Sequence, residues 1–145
     1  MQCNMHIIQT NWAANEAALR HVREQVFIIE QAVPAILEWD ALDQTAIHLL
    51  AVIDNQAVAC ARVLNFNKIG RMAVLADYRG LGIGLALLNE GIEICKTEGA
   101  TSITLSAQVY AIPFYKKAGF IVNSQVYDDA GIPHQDMILT FDKLI

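Results

Sequence analysis

Three glycines and an arginine fall within six residues, Arg79-Gly80-Leu81-Gly82-Ile83-Gly84, the densest chemical signal in this 145-residue chain. An apolar, strand-like run, Met72 to Leu75, precedes them, and an amphipathic helical pattern, Leu85 to Glu98, follows. A strand, a glycine-rich turn and a helix in that order suit the binding of a diphosphate. The first N–H groups of the helix point outward, and glycines remove the side chains that would keep a ligand away. The helix dipole puts partial positive charge at that end, and Arg79 adds a formal one. A plainer reading makes the glycines packing residues of a tight turn; the arginine directly ahead of them favours anion binding. No Gly-Lys-Ser/Thr follows, which excludes a Walker phosphate loop. A dinucleotide fingerprint would need a glycine where Leu85 stands.

Little else has the spacing of a ligand set or a nucleophile. Cys3, Cys60 and Cys95 are odd in number and lack a CxxC pair, so neither a disulfide framework nor a zinc site is expected, and a reducing cytoplasm fits better. His6, His21 and His48 show no partner spacing, and no metal is expected. The start, Met1-Gln2-Cys3-Asn4, lacks the basic and apolar regions of a signal peptide.

The elements that position the loop follow from periodicity. Met5 to Gln9 alternates weakly, as a short strand does. From Asn11, an N-cap residue, the spacing of Leu19, Val22, Val26 and Ile29 predicts a helix over 12–30, and Pro34 ends it or opens a short second piece. Ile47 to Ile53 and Ala57 to Phe66 read as a hairpin around Asp54-Asn55, with Lys68 to Leu75 as the next strand. Leu85, Leu88, Ile92 and Cys95 form the buried stripe of a helix ending at Gly99. A strand over Ser102 to Ser106, a short helix over 111–118 and two strands near 120–127 and 135–142 complete the chain, the last two around the turn Asp128-Asp129-Ala130-Gly131. The order β-α-(α)-β-β-β-α-β-α-β-β predicts an α/β (mixed α+β) fold. Its sheet is mixed, of about six or seven strands, with helices on both faces. The length suits a single domain over 1–145.

Apolar residues make up 54% of the chain, which implies a dense core and is consistent with an apolar face for a second subunit. Glu, Gln or Asp break every apolar stretch before it reaches membrane-spanning length. A net charge of −5 makes nucleic acid a poor partner. Five of the ten basic residues, Lys68, Arg71, Arg79, Lys116 and Lys117, flank the glycine turn or the later short helix. That distribution suits an anionic cofactor beside a neutral or cationic substrate, and ordinary solvated charge explains it equally well.

Three segments, Met72-Ala73-Val74, Arg79-x-x-Gly82-x-Gly84 and Phe114-Tyr115-Lys116-Lys117-Ala118-Gly119-Phe120, together resemble the Gcn5-related N-acetyltransferases (GNAT). Val26-Phe27-Ile28-Ile29-Glu30-Gln31, Glu38-Trp39-Asp40, Ile69-Gly70-Arg71-Met72-Ala73-Val74 and Ala130-Gly131-Ile132-Pro133-His134 extend the likeness to the YjcF-like and ElaA-like subgroup. The resemblance implies the GNAT fold and acetyl-CoA as cosubstrate. Its pantetheine arm would lie where the strand at Arg71–Leu75 splays from the strand at Ser102–Ser106. Cofactor contacts are implied at Met72, Ala73, Val74, Arg79, Gly80, Leu81, Gly82, Ile83, Gly84, Gln108, Phe114 and Lys117. Many members carry an asparagine six positions before the tyrosine; here that position is Val109, with Gln108 beside it. A homodimer is common in the family.

Acetyl transfer from a thioester to an amine expels a thiolate, and a phenol with an ordinary pKa near 10 can donate to it without being ionised first. The resemblance gives that role to Tyr115; a half-buried tyrosine tied to backbone is the bland alternative. An ammonium substrate must also lose a proton, for which Glu30, His134 or a water chain are candidates. Asp40 suits either a substrate pocket or a surface turn. The resulting expectation is an acetyl-CoA-dependent N-acetyltransferase acting on a small amine by direct attack. Its rivals are a non-catalytic acyl-CoA sensor and a structural subunit of the same fold.

Overall fold

The computed structural model describes residues 4–141. The chain opens with β1 (Met5–Thr10) and α1 (Trp12–Arg23). Asn11 caps α1, its side chain accepting from the Ala14 N–H at 2.9 Å. The predicted helix over 12–30 changes pitch part-way. Over Glu24–Glu30 it widens to π winding, with the Gln31 N–H donating to the carbonyl five residues back, Val26, at 3.1 Å. Ala32 then takes a left-handed φ of +58° and Pro34 leads into a single turn, α2 (Ala35–Glu38).

The hairpin forms as its turn residues require. β2 (Ile47–Ile53) and β3 (Gln56–Leu64) are joined by Asp54 and Asn55, both at positive φ, the handedness that matches strand twist. β4 (Lys68–Val74) follows, then α3 (Ile83–Thr97), β5 (Ser102–Gln108) and α4 (Ile112–Lys117). Both helices stop at glycines with positive φ, Gly99 and Gly119. The chain ends in β6 (Ile121–Val122), β7 (Tyr127–Asp129) and β8 (Ile132–Thr140).

The sheet therefore has eight strands, in the order β1-β2-β3-β4-β5-β8-β6, with β7 also paired to β8. The extra strand arises because the run expected over 120–127 breaks. Around its middle, side-chain bonding replaces the ladder: the Asp136 N–H donates to Ser124 Oγ at 2.8 Å, and Gln135 Nε2 donates to the Ser124 carbonyl at 3.0 Å. All neighbours are antiparallel except β4 and β5. That parallel pair meets at the single register Lys68↔Thr104, supported by the Thr104 N–H donating to the Asn67 carbonyl at 3.0 Å, and diverges beyond it. The gap opens towards the C-terminal ends of both strands, where α3 and α4 begin.

Two apolar layers sandwich the sheet. Leu88 and Cys95 of α3 pack with Ile69, Ile103, Leu105, Phe120 and Met137 on one face. Leu19 and Val22 of α1 pack with Val26, Phe27, Leu50, Cys60 and Ala73 on the other.

An ionic cluster lies at the edge of the second layer, with Arg23, Glu38, Asp43 and Arg62 buried and Asp40 and Arg71 partly exposed. Arg23, 1% exposed, donates from Nε to Glu38 Oε2 at 2.8 Å and from Nη1 to Asp43 Oδ1 at 2.7 Å. Arg62 donates from Nη1 to Asp40 Oδ1 at 2.8 Å and to Asp43 Oδ1 at 3.0 Å. Arg71 donates from Nη2 to the Glu38 carbonyl at 3.1 Å and to Asp40 Oδ2 at 3.3 Å. Three arginines thus face three carboxylates, and the aromatic faces of Trp12 and Trp39 cover the Arg20 and Arg23 guanidiniums at 4.7–5.5 Å. Burial pushes the His48 imidazole down, so it stays neutral and donates from Nε2 to the Asp43 carbonyl at 2.8 Å.

Burial alone would push the Asp43 carboxyl up, but hydrogen bonds and charge from Arg23 and Arg62 outweigh it and hold the carboxyl below its usual range. A depressed carboxylate stabilises the fold above its unfolded pKa near 4, and that contribution is lost as pH falls through the folded value. Arg23→Met leaves Glu38 and Asp43 without their shared counter-ion and is expected to cost about 3–5 kcal/mol. Urea unfolding at neutral pH measures this, and a parent no more stable than the variant would contradict it.

Candidate active site

The glycine loop divides into two kinds of position. Gly80 and Gly82 have φ of +77° and +82°, and a Cβ at either would meet nothing within 4 Å. Their requirement is backbone handedness beside open space. Gly84 is a packing residue: its Cβ would lie 3.5 Å from Phe114 Cζ and 3.7 Å from Val74 Cγ2. It lets the first turn of α3 close against β4 and α4. The Ala86 N–H donates to the Gly82 carbonyl at 3.1 Å, so the amides of Ile83, Gly84 and Leu85 precede the first full helical bond. Leu81 is exposed at the loop's tip.

Arg79 is engaged. Its Nε donates to the Val74 carbonyl at 3.0 Å, and Nη1 and Nη2 fork onto the two oxygens of Glu30, each at 2.6 Å. That hydrogen-bonded pair holds the Glu30 carboxyl below its usual range. The structure therefore brings together Glu30 and Arg79, one expected as a base and the other as an anion ligand, and ties them to each other. Glu30 is absent from the wall of the cavity described next.

The divergence of β4 and β5 opens a cavity of about 270 Å³. Arg71 and Met72 line it from β4, Ser106 and Gln108 from β5, Tyr115 from α4 and His134 from β8. Phe27, Gln31, Leu37 and Glu38 close it on the side of the π segment and α2. A bulge shapes the β4 wall. Cys60 opposes Ala73 and Arg62 opposes Gly70, so Arg71 and Met72 together face only Ala61. Arg71 sits at the bulge with φ +47°, an unfavourable value for a long side chain, and its guanidinium in the ionic cluster holds it there. Past the bulge the Met72–Val74 edge has no β5 partner, so its main-chain groups border the gap.

Tyr115 packs edge-on against Phe114 at 5.0 Å and Phe120 at 6.2 Å, between ring centroids. Burial pushes its phenol up to about 12, and it stays protonated at neutral pH. Its hydroxyl has no hydrogen-bond partner among the described residues. His134 lies within β8 rather than on the turn before it, directly across from Gln108. Its ring stacks on Tyr127 at 6.0 Å, and Nδ1 donates to the Ile132 carbonyl at 2.7 Å. A carbonyl can only accept, so this bond places the neutral ring's proton on Nδ1 and leaves the Nε2 lone pair free. Tyr127 in turn donates to Asp136 Oδ1 at 2.6 Å and shares a hydrogen bond with Ser106 Oγ.

Gln108 donates from Nε2 to Gln31 Oε1 at 2.8 Å, which ties the end of β5 to the end of the π segment. Val109 is half-exposed beside it. Phe114 packs into the core face, and Lys117 projects from the last turn of α4, outside the cavity wall.

Glu38 and the Arg71 side chain are the wall groups that sequence reasoning missed. Glu38-Trp39-Asp40 carries a resemblance, but Glu38's partners stand at positions 23 and 71, and no local pattern links them. Asp40 lies outside the cavity wall on an exposed turn: it caps Ala41–Gln44 and pairs with two arginines. Cys60 is buried, donates to the Arg71 carbonyl at 3.4 Å, and burial pushes its thiol up to about 12; Cys95 is buried as well. Neither supplies a thiolate. Cys3 lies outside the described residues. Among the described residues no group of three or more His, Cys, Asp or Glu side chains is placed to hold a metal.

Known proteins share the sequence pattern and the fold of this chain. The sequence model of the acetyltransferase (GNAT) domain matches residues 13–141. The uncharacterized N-acetyltransferase YjcF of Bacillus subtilis is 35% identical over 87% of this chain and 95% of its own. Protein ElaA of Escherichia coli is 33% identical over 83% of this chain and 84% of its own, and the ElaA crystal structure superposes with a TM-score of 0.84, covering 93% and 99%. An acyl-CoA N-acyltransferase from Pseudomonas aeruginosa, 29% identical, superposes with a TM-score of 0.85 over 94% of this chain and all of that one. The match of the domain over nearly the whole chain, the identities of 35% and 33% and the superpositions together show that this chain is a member of the GNAT acetyltransferase family.

Proposed function

We propose that this protein transfers the acetyl group of acetyl-CoA to the amine of a small acceptor by direct attack within a ternary complex. One observation carries the reading: β4 and β5 part on the same side as the start of α3, with Tyr115 on the wall between them. A thioester cosubstrate with a flexible arm and a diphosphate fits that layout. Its diphosphate binds at the amides of Gly82 to Leu85 and at Arg79, and its arm pairs with the free edge of Met72–Val74 as an added strand would. A main-chain N–H of that edge polarises the thioester carbonyl.

The amine nitrogen attacks the carbonyl carbon, the C–N bond forms, and the C–S bond breaks with its electron pair going to sulfur. Tyr115 donates a hydrogen bond to the departing sulfur. A free thiol has a pKa of about 8.5, so full transfer from a phenol near 12 is uphill. Tyr115 therefore stabilises the thiolate as a donor and passes its proton on only as it receives one from the nitrogen, which becomes strongly acidic on attack. His134 Nε2 and Glu38 are acceptors on the same wall for the amine's first proton. Glu30, held low by Arg79, acts on the cofactor loop.

Isothermal titration with acetyl-CoA tests the reading first, and release of free CoA thiol with an amine panel tests transfer. Binding without thiol release would favour a sensor of the same fold. Tyr115→Phe should lower turnover on the order of 10²-fold while leaving CoA affinity within about twofold. In the parent, ionisation of Tyr115 should cause no loss of rate below a pH of about 11, since the group works protonated and its folded pKa is high. Arg79→Ala should weaken CoA binding by about tenfold. Glu30→Gln should tighten it, because a competing carboxylate is removed from Arg79. Both variants shifting affinity in the same direction would contradict the competition between Glu30 and the diphosphate.

A further inference from the structure

Two carboxylates line the cavity, Asp129, exposed on β7, and Glu38, which is buried and has one oxygen unused. Glu38 is 3% exposed and sits at the end of α2, facing the gap between β4 and β5. Its Oε2 accepts from Arg23 Nε at 2.8 Å and lies 3.2 Å from Arg71 Nε. Its carbonyl accepts from Arg23 Nη2 and Arg71 Nη2, both at 3.1 Å. Oε1 accepts from no described residue, and it is not among the buried polar atoms cut off from both solvent and partner, which are Asp43 Oδ2, Arg62 Nε and Arg71 Nε. Oε2 is therefore fixed by Arg23, while Oε1 is left without a protein partner on a residue that lines the cavity.

The cationic groups of the wall are less available. Arg62 and Arg71 are spent on Asp40, Asp43 and the Glu38 carbonyl. Lys68 lies where β4 is still paired to β5, away from the widest part of the gap. His134 has its Nδ1 occupied by the Ile132 carbonyl. Phe27, Val33 and Leu37 supply apolar walls beside Glu38.

We propose that Glu38 Oε1 is the docking point for the acceptor's ammonium group, which makes the acceptors slender primary alkylammonium compounds. This rests on the transfer reading above for its meaning, but not for its test. A buried carboxylate anchored by Arg23 gives the incoming cation a fixed partner without rearrangement, and the aliphatic part of the acceptor lies along Phe27 and Leu37. The groups facing Glu38 are Arg23 from α1, Arg62 from β3, Arg71 from β4, and Asp40 and Asp43 from the following turn. Arginines stay charged throughout, so over the neutral range the charge that Glu38 meets is constant.

The experiment is a titration of the protein with n-propylammonium chloride, with and without CoA, read in the parent at the ¹³C-labelled Glu38 side-chain carboxyl and in parent and variants alike at the backbone amides of the cavity wall by NMR. Potassium chloride and sodium propionate serve as controls. The expected result is a saturable shift with propylammonium alone, weakened about tenfold or more in Glu38→Gln and less in Glu38→Asp, with Tyr115→Phe unchanged. A response no larger than that to potassium chloride, or saturable binding of propionate in place of propylammonium, overturns the proposal. If Glu38→Gln fails to fold, the parent shift and the Asp variant decide. Failure of CoA to bind refutes the transfer reading, whereas the propylammonium shift is measured in free protein as well.

Discussion

One parallel strand pair that stays joined at a single register organises this molecule. β4 and β5 meet at Lys68 and Thr104 and part thereafter, which leaves main-chain groups of both strands without the neighbours a sheet normally provides. A gap of that kind persists only if the strands are held from outside. β3 holds β4 along its other edge, with the bulge at Arg71 adding local twist, and β8 holds β5 through an unbroken seven-residue ladder. The helices complete the frame: α3 starts at the open end of β4 and α4 at the open end of β5. The fold thus builds a cleft from backbone alone and needs few special side chains to do it.

The second wall of the cleft is built by ionic contacts. Residues 35–44 contribute only a turn of helix and a short 3-10 turn, too little apolar surface to fix them by packing. Arg23, Arg62 and Arg71 bind this segment to α1, β3 and β4 instead. Such a cluster adds little net stability over an apolar replacement, because desolvation offsets the attraction. What it supplies is position: carboxylate and guanidinium forks accept few geometries, so Glu38 stands at a fixed place on the wall. Arg71 serves both structures at once, since its backbone makes the bulge in one wall and its side chain braces the other.

Most of the frame was legible in the sequence because its signals are local. Asp54-Asn55 between alternating apolar runs dictates a hairpin, Asn11 a helix start, and Gly99 and Gly119 helix stops, each by a conformation that few other residues take. The glycine-rich loop was legible for the same reason. Three things were not. The π winding over Glu24–Glu30 has the same apolar spacing as an α-helix over so short a span, so periodicity cannot distinguish them. The break between β6 and β7 depends on Ser124 meeting β8, a contact between chain positions far apart. The pairing of Glu30 with Arg79, across 49 residues, is likewise invisible to any local pattern, and it changes what both residues can do.

Glu30 and Glu38, eight residues apart, show how position rather than residue type sets function. Glu30 is half-exposed, on the outside of the π segment, and gives both oxygens to one guanidinium. Burial has little hold on it, and the Arg79 hydrogen bonds keep its proton affinity low. Glu38 is enclosed, and desolvation pushes its carboxyl up against the pull of Arg71 and Arg23. The first carboxylate meets whatever approaches the helix start of α3; the second meets whatever enters the cleft from the side of α2. Under the proposed function, a polyanionic cofactor would displace Glu30 from Arg79, since its phosphate oxygens offer the same fork more charge. An ammonium entering the cleft meets Glu38 without displacing anything. Under the proposed function, cofactor binding is therefore a substitution and acceptor binding an addition. Added salt weakens the first more, because Glu30 and Arg79 lie in solvent and Glu38 does not.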